Sequence, residues 1–220
     1  MKKGTIFFDF DGTIHETMYI YGPALDVAKA YLDEHKIPYQ GLEENLYHTY
    51  LGYNADDMWK MVMGGNDKET IHFVSSIVGR EMNSNLDKGL GRLYPKTEET
   101  LMELKDKGYT LVYISNARNT YYEKVKENYK LDRFFDRFLT SQMYNELPKE
   151  EILKSVKHKY PAPYYIVGDR FFDMVGGQKN NMVTIFCNYG YGKPEEGRDA
   201  SYRIDSIDEL LEVMRLEEKC

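Results

Sequence analysis

Two carboxylates near the N-terminus are the residues of this chain that are best placed to do chemistry. Asp9 and Asp11 follow the apolar run Thr5 to Phe8 and come directly before a Gly-Thr pair. Such a run before a glycine is typical of a buried strand, and alternate side chains of a strand lie on the same side. Two carboxylates held that close repel each other unless a cation or a proton lies between them. A divalent metal would relieve the repulsion and leave one carboxylate as a nucleophile, although a strand that merely ends in an acidic turn fits the same pattern.

Three further polar signals follow at the predicted end of a strand or the predicted start of a helix. They are Ser115 with Asn116, then Lys149, and then Asp169 with Asp173. Each has an ordinary interpretation on its own, as a turn residue, a solvated lysine or a helix cap. In a parallel sheet, however, ligands bind beyond the carboxyl ends of the strands. Acids, a hydroxyl and an ammonium would then converge at one edge of the sheet.

The order and spacing of these residues resemble the motifs of the haloacid dehalogenase-like superfamily, and most closely its phosphoglycolate-phosphatase-like members with a type 1 cap. The resemblance covers the whole chain. Its first and last motifs are specific, whereas the hydroxyl and the lysine alone would be weak signals. The four motifs are Asp9-Phe10-Asp11-Gly12-Thr13, Ser115, Lys149, and Gly168-Asp169 with Asp173.

The resemblance implies phosphoryl chemistry by way of an aspartyl-phosphate. Asp9 would attack phosphorus, which splits one difficult displacement into two easier ones. Asp11 would protonate the leaving oxygen and then deprotonate the attacking water. The donors expected to bind the phosphoryl oxygens are Thr13, Ser115, Asn116 and Lys149.

The same resemblance implies a Mg²⁺ site, which suits hard oxygen ligands. The ligands would be the Asp9 carboxylate, the backbone carbonyl of Asp11 and the Asp169 carboxylate. Asp173 is expected to act either as a further ligand or as the residue that orients Lys149.

Further candidates for substrate contact lie beside these motifs. Gly12 belongs to the first motif, and Arg170 follows the last one. Tyr53 lies in the segment 51–54 between two predicted helices, where the family usually has its specificity loop. His15 is expected to face the same cleft.

The elements that must position these residues alternate regularly from residue 95 onward. The pattern predicts helices over residues 95–108, 119–129, 148–158 and 206–216, and strands over 110–115, 164–167 and 182–187, with a short strand near 134–139. Alternating strands and helices indicate an α/β fold with a Rossmann-like parallel sheet and helices on both faces.

Residues 15–92 interrupt that alternation. They contain no convincing strand, and their helical patterns cover residues 23–36, 42–51, 56–63 and 68–83. We therefore expect a discontinuous catalytic core over residues 1–14 and 93–220, with an inserted all-helical cap domain over 15–92. An insert at this position would lie over the catalytic edge of the sheet and could close it as a lid.

Composition narrows the class of protein. The net charge of −7 over 220 residues argues against a nucleic-acid-binding protein but not against a small anionic substrate near a metal. Cys187 and Cys220 do not form a disulfide framework, no apolar stretch approaches 18 residues, and residues 1–4 lead directly into a strand. These features predict a cytoplasmic protein with no membrane partner.

The leading hypothesis is a Mg²⁺-dependent phosphatase that acts on a small phosphorylated metabolite. A phosphomutase of the same architecture would use the same residues but return the phosphoryl group to a sugar. A phosphate-binding protein without activity is a third possibility, although such a protein would not need Asp9, Asp11 and Asp169 together.

Overall fold

A six-stranded parallel sheet forms the centre of the molecule in a computed structural model that describes residues 3–219. The strands are β1 (Gly4–Phe8), β2 (Tyr109–Ser115), β3 (Arg137–Thr140), β4 (Tyr164–Gly168), β5 (Val183–Cys187) and β6 (Tyr202–Ile204). The α-helices are α1 (Met18–Glu34), α2 (Ala55–Met63), α3 (Lys68–Asp87), α4 (Thr97–Asp106), α5 (Asn119–Asn128), α6 (Lys149–Val156), α7 (Phe171–Lys179) and α8 (Leu210–Glu217).

The strand order is β3-β2-β1-β4-β5-β6, and every neighbouring pair is parallel. After β1 the chain builds outward on one side through β2 and β3, and it then returns to place β4 on the other side of β1. The direction of winding therefore reverses between β1 and β4. Such a switch point leaves a crevice beyond the carboxyl ends of the two strands, where ligands bind in open α/β sheets.

Helices cover both faces of the sheet, as the alternation of elements predicted. The reason is visible in β1, where Ile6 and Phe8 pack into one buried cluster and Phe7 packs into another. The first cluster includes apolar side chains of α4, α5 and α8, and the second includes those of α6. A parallel strand buried on both faces reads as a continuous apolar run, which is the pattern that identified β1 in the sequence.

The inserted segment builds a separate helical layer with its own buried cluster. Its members come from residues 21–78 and include Leu25, Tyr47, Trp59 and Val74. Two of the helices begin at an ordinary side-chain cap, because Asn54 accepts a hydrogen bond from the backbone of α2 and Asp67 accepts one from α3. We refer to this layer as the cap.

The structure departs from the predicted elements at three places. Helix α1 begins at Met18 and contains Pro23, whereas the sequence predicted a start at Pro23. The segment Glu44–Tyr50 is a 3₁₀-helix, and the short strand β6 was not predicted at all. A three-residue strand at the edge of the sheet is too short to show the alternation on which such predictions depend.

The structure bears on two expectations from the sequence, one about the cysteines and one about membrane-spanning segments. Cys187 is buried and has a free thiol, while Cys220 lies outside the described residues. No helix within residues 3–219 has both the length and the apolar character required to cross a bilayer.

Candidate active site

Lys149 and two carboxylates form the centre of the site. Asp9 directly follows β1, and Lys149 is the first residue of α6. The Lys149 Nζ lies 2.6 Å from Asp9 Oδ1 and 2.7 Å from Asp173 Oδ1. All three side chains are buried, so the ammonium is held between two carboxylates without competing water.

The third carboxylate of the cluster is Asp169, which follows β4 across the switch point. Asp9, Asp169 and Asp173 each offer a carboxylate oxygen within 4.8 Å of the others. Burial raises the pKa of Asp9 well above its usual value, and Lys149 opposes that shift. Burial and the neighbouring Asp173 raise the pKa of Asp169 to about 7. One ammonium therefore faces three buried carboxylates, and the unbalanced charge, carried entirely by hard oxygen donors, suits a divalent metal ion.

A glycine-rich loop after β5 fixes the Asp169 side chain. The backbone N–H of Tyr191 donates to Asp169 Oδ2 at 2.7 Å, and the Thr13 hydroxyl donates to Asp169 Oδ1 at 3.4 Å. A Cβ at Gly190 would overlap the Asp169 side chain, so only glycine lets the loop approach this closely. The Tyr191 hydroxyl also accepts a hydrogen bond from the backbone of Met18 at 3.1 Å, where α1 of the cap begins.

Two hydroxyl groups hold Asp11, the other acid of the first motif. The Thr17 hydroxyl donates to Asp11 Oδ1 at 2.6 Å, and the Tyr121 hydroxyl donates to the same oxygen at 2.7 Å. Burial raises the pKa of Asp11, and the hydrogen bonds from Thr17 and Tyr121 act against that shift. Sequence reasoning missed both residues, because neither hydroxyl belongs to a recognisable motif. Tyr121 comes from α5, more than 100 positions away from Asp11.

His15 lies behind Asp11 and not in the cleft, which corrects the expectation for this residue. It is wholly buried, its ring stacks on Phe10, and burial lowers its pKa to about 3. Its Nδ1 lies 2.9 Å from the Thr17 hydroxyl and its Nε2 lies 2.9 Å from the Tyr129 hydroxyl. Because the Thr17 proton is given to Asp11, the consistent assignment is a neutral ring whose Nδ1–H donates to Thr17.

Ser115 and Asn116 lie at the end of β2, at the cavity that Asp9 and Asp11 also line. The Ser115 hydroxyl accepts a hydrogen bond from the backbone of Ala117 at 3.1 Å, which leaves its proton available to a ligand. The Asn116 amide instead donates to the carbonyl of Gly52 in the cap at 2.7 Å. Asn116 therefore joins the core to the cap in addition to lining the cavity.

Arg170 has a similar connection to the cap. The buried guanidinium donates to Glu196 Oε2 at 3.1 Å and to the carbonyl of Thr49 at 3.3 Å, and it lies 5.7 Å from the centre of the Tyr53 ring. Its role as a substrate contact stays a prediction, since these contacts direct it to the cap loop. We use the term cap latch for the bonds from Asn116 to Gly52 and from Arg170 to Thr49.

A cavity of about 140 Å³ separates the cap from the core. Asp9, Asp11 and Ser115 lie at its core side, and Tyr53 lines it from the cap loop. The apolar part of the cap wall is made by Leu51, Met58, Trp59, Val78 and Met82. The Tyr21 and Ser75 side chains also line the cavity from α1 and α3.

The structure thus brings most of the predicted site residues to one edge of the sheet. Those gathered around the acidic cluster and the cavity are Asp9, Asp11, Thr13, Ser115, Asn116, Lys149, Asp169 and Asp173. Gly12 packs against the Asp169 side chain with a positive φ of 86°, a backbone conformation that favours glycine.

Comparisons with known proteins agree with this geometry. Residues 6–187 match the family described as haloacid dehalogenase-like hydrolase. Phosphoglycolate phosphatase of Vibrio parahaemolyticus is 24% identical over 221 residues, covering 95% of each chain, and pyrophosphatase PpaX of Bacillus mycoides is 26% identical over 228 residues, covering 97% of this chain and 98% of the other.

Solved structures show the same fold. A crystal structure described as a predicted phosphoglycolate phosphatase from Haemophilus somnus superposes with a TM-score of 0.81 at 23% identity, covering 96% of this chain and 97% of the other. CbbY from Rhodobacter sphaeroides, crystallised with phosphate, has a TM-score of 0.77 at 17% identity and 96% coverage of both chains.

Proposed function

The chain belongs to the haloacid dehalogenase-like hydrolase family and is, with its phosphatase relatives, a phosphoric monoester hydrolase; on that premise we propose that it hydrolyses a small phosphomonoester through an aspartyl-phosphate on Asp9, with Mg²⁺ as cofactor. The observation that carries the proposal is the Lys149 ammonium, held between Asp9 and Asp173 beside a third buried carboxylate. One ammonium does not balance three carboxylates, so the cluster needs a further cation, and that cation together with Lys149 would bind a dianionic phosphoryl group.

Asp9 is the nucleophile in this proposal. Its carboxylate lies at the switch point, lines the cavity and is bonded through Oδ1 to Lys149. That bond and the surrounding elements fix the side chain, so that attack on phosphorus would require little reorganisation. The positive charge of Lys149 would also stabilise the phosphoryl oxygens in the transition state of the displacement at phosphorus.

The metal would be held by Asp9, Asp169 and the backbone carbonyl of Asp11. It would supply charge neutralisation for the phosphoryl oxygens. Asp173 has a different role in this proposal, since Lys149 occupies its Oδ1 and the backbone N–H of Arg170 donates to its Oδ2 at 3.1 Å. We therefore assign Asp173 to the positioning of Lys149.

Asp11 is the general acid and base. The hydroxyls of Thr17 and Tyr121 hold one of its carboxylate oxygens, which leaves the other to exchange a proton. The carboxyl would give its proton to the leaving oxygen in the first step and take a proton from water in the second. A raised pKa suits this role, because the proton must be present before the first step.

Ser115 would bind a phosphoryl oxygen from the end of β2. Its hydroxyl oxygen accepts a hydrogen bond from the Ala117 N–H, and the hydroxyl proton would be donated to the phosphoryl oxygen. Thr13 is held against Asp169, so its hydroxyl supports the acidic cluster as well as the substrate.

The test is release of inorganic phosphate from 4-nitrophenyl phosphate, with Mg²⁺ and with EDTA, for wild type and Asp9→Asn. We expect Mg²⁺-dependent release that falls at least about 10³-fold in the variant, because the amide is no nucleophile. Asp106→Asn, an exposed acid at the end of α4, is the matched control and should keep wild-type rates. Turnover by Asp9→Asn near that of wild type would contradict the assignment. Analysis of the products separates hydrolysis from transfer of the phosphoryl group to a sugar.

A further inference from the structure

The cap side of the cavity is poor in charge, and this limits the leaving group that it can accept. Within residues 3–219, Arg118 is the only lysine, arginine or histidine that lines the cavity. Its guanidinium is paired with Asp56 at 3.3 Å, so it is already compensated. Lys149, at the core side, is held by Asp9 and Asp173.

The remaining cap wall is mostly apolar and tightly packed. Met58, Trp59 and Val78 are each less than a tenth exposed and belong to the buried cluster of the cap. The hydroxyl groups of Tyr21 and Ser75 are the polar groups that α1 and α3 add to this wall. A wall of this kind binds an apolar surface, with room for one or two neutral hydrogen bonds.

A second anionic group on the substrate would be unfavourable here. Transfer of a carboxylate or a second phosphate from water to a buried site requires a cation or several donors as compensation. The acids that line the cavity are Asp9 and Asp11, and neither compensates a second anion.

We propose that the enzyme acts on phosphomonoesters whose leaving group is small, neutral and largely apolar, and that it discriminates against acidic leaving groups such as glycolate and phosphate. This inference rests on the proposed function, since it names the substrate class of the same site. The volume of about 140 Å³, which the phosphoryl group and the leaving group would share, is close to that of apolar cavities that hold a benzene-sized molecule and therefore suits a small leaving group.

Gly79 lies at the solvent-exposed rim of the cavity. It belongs to α3, lines the cavity, and a Cβ built on it would meet no atom within 4 Å. A larger side chain at this position would therefore narrow the entrance without displacing the cap core.

The first experiment compares kcat/KM for pairs of substrates that differ by one charge. Phosphoglycolate and its neutral amide, phosphoglycolamide, have nearly the same shape, and 4-nitrophenyl phosphate serves as the reference. We expect the amide to be favoured over the acid at least about 100-fold, because the buried carboxylate lacks a partner. A kcat/KM for phosphoglycolate that equals or exceeds that for the amide would overturn the inference. Loss of this phosphoglycolate activity in Arg118→Ala would then identify Arg118 as the group that binds the carboxylate.

The same experiment separates this inference from the proposed function. Hydrolysis of 4-nitrophenyl phosphate that is lost in Asp9→Asn supports the proposed function whichever partner of the pair is favoured. If no substrate is hydrolysed in an Asp9-dependent manner, the proposed function fails and the inference fails with it.

The second experiment uses Gly79→Leu with benzyl phosphate and methyl phosphate. Narrowing the cavity at its rim should lower kcat/KM for benzyl phosphate at least about tenfold relative to methyl phosphate. His72→Leu, at an exposed position of α3 outside the cavity, is the matched control and should leave the ratio unchanged. An unchanged ratio in Gly79→Leu, with a normal melting curve, would show that the leaving group lies elsewhere and would overturn the inference.

Discussion

The core side and the cap side of the cavity are built in opposite ways. At the core side, Lys149 is paired with Asp9 and Asp173, and the backbone N–H of Tyr191 holds the neighbouring Asp169. At the cap side, apolar side chains pack against each other and polar groups are few. The core side therefore depends on directional bonds between specific residues, while the cap side depends on shape and volume. We therefore propose that the chemistry depends on the core and the choice of substrate on the cap.

Removal of the ammonium would test the core side most severely. Lys149→Met keeps most of the side-chain length but leaves Asp9 and Asp173 buried without a counter-charge. We expect kcat/KM to fall about 10³-fold, and the free energy of unfolding in EDTA to fall by about 3–5 kcal/mol. Steady-state kinetics and urea denaturation would measure both.

A matched control for that variant lies in the same helix. Lys154→Met removes an ammonium that is 71% exposed, so the activity and the unfolding midpoint should change little. Equal effects of the two substitutions would contradict the central position given to Lys149.

Substitutions around Asp11 should have the next largest effects. Asp11→Asn removes the proton donor and should lower kcat about 10²-fold or more. Tyr121→Phe removes only one of the two hydrogen bonds to the Asp11 carboxylate, and we expect a fall in kcat of about tenfold with KM nearly unchanged. Rapid-quench measurement would separate a slower chemical step from slower product release. A change in KM alone would count against a positioning role for Tyr121.

Two arginines of the core contact the cap, and substituting each in turn tests which contact holds the cap to the core. Arg170 belongs to the cap latch and is buried, while Arg118 forms an ion pair with the exposed Asp56. Loss of a charged hydrogen bond of about 1.5–3 kcal/mol in Arg170→Ala should raise KM by about 10- to 150-fold. Arg118→Ala, measured with a neutral substrate, should raise KM less than about fivefold. A larger rise in KM for Arg118→Ala than for Arg170→Ala would show that the exposed ion pair, and not the cap latch, holds the cap to the core.

The smallest effect is expected from a change in stability alone. Gly79→Ala adds one methyl group to α3 where nothing opposes it, and it restricts the unfolded chain. We expect a gain of about 0.5–1 kcal/mol, which corresponds to a rise in Tm of about 1–4 °C. Differential scanning calorimetry would measure it, and a lower Tm would indicate that the helix is strained at this position.

The same contrast explains what could be predicted from the sequence. Asp9 and Asp169 were identified because they follow strands, and the geometry of a parallel sheet brings such positions together. Lys149 was preferred to the nearby Lys154 and Lys157 because it follows a proline and its spacing to Asp169 resembles that of the family. The fold class followed from the alternation of apolar strands with amphipathic helices. Both results depend on local patterns along the chain.

Other features depend on tertiary contacts that no local pattern encodes. Tyr121 reaches Asp11 from a different helix, and Arg170 turns to the cap loop because Glu196 and Thr49 accept its hydrogen bonds. The apolar cap wall is equally hard to predict, since Trp59 and Val78 look like ordinary core residues until the cavity beside them is known. The cap boundaries at residues 15 and 92 remain a prediction.

Tyr191 has a consequence for the modular construction of such enzymes. Its backbone N–H holds Asp169 in the acidic cluster, and its hydroxyl holds the first residue of α1. The foundation of the cap thus includes a residue that lies about 100 positions beyond the end of the insert. In a chimera that exchanged only residues 15–92 for those of a relative, Tyr191 would stay with the core. The new cap would keep this anchor if its first helix offered a backbone N–H at the position of Met18.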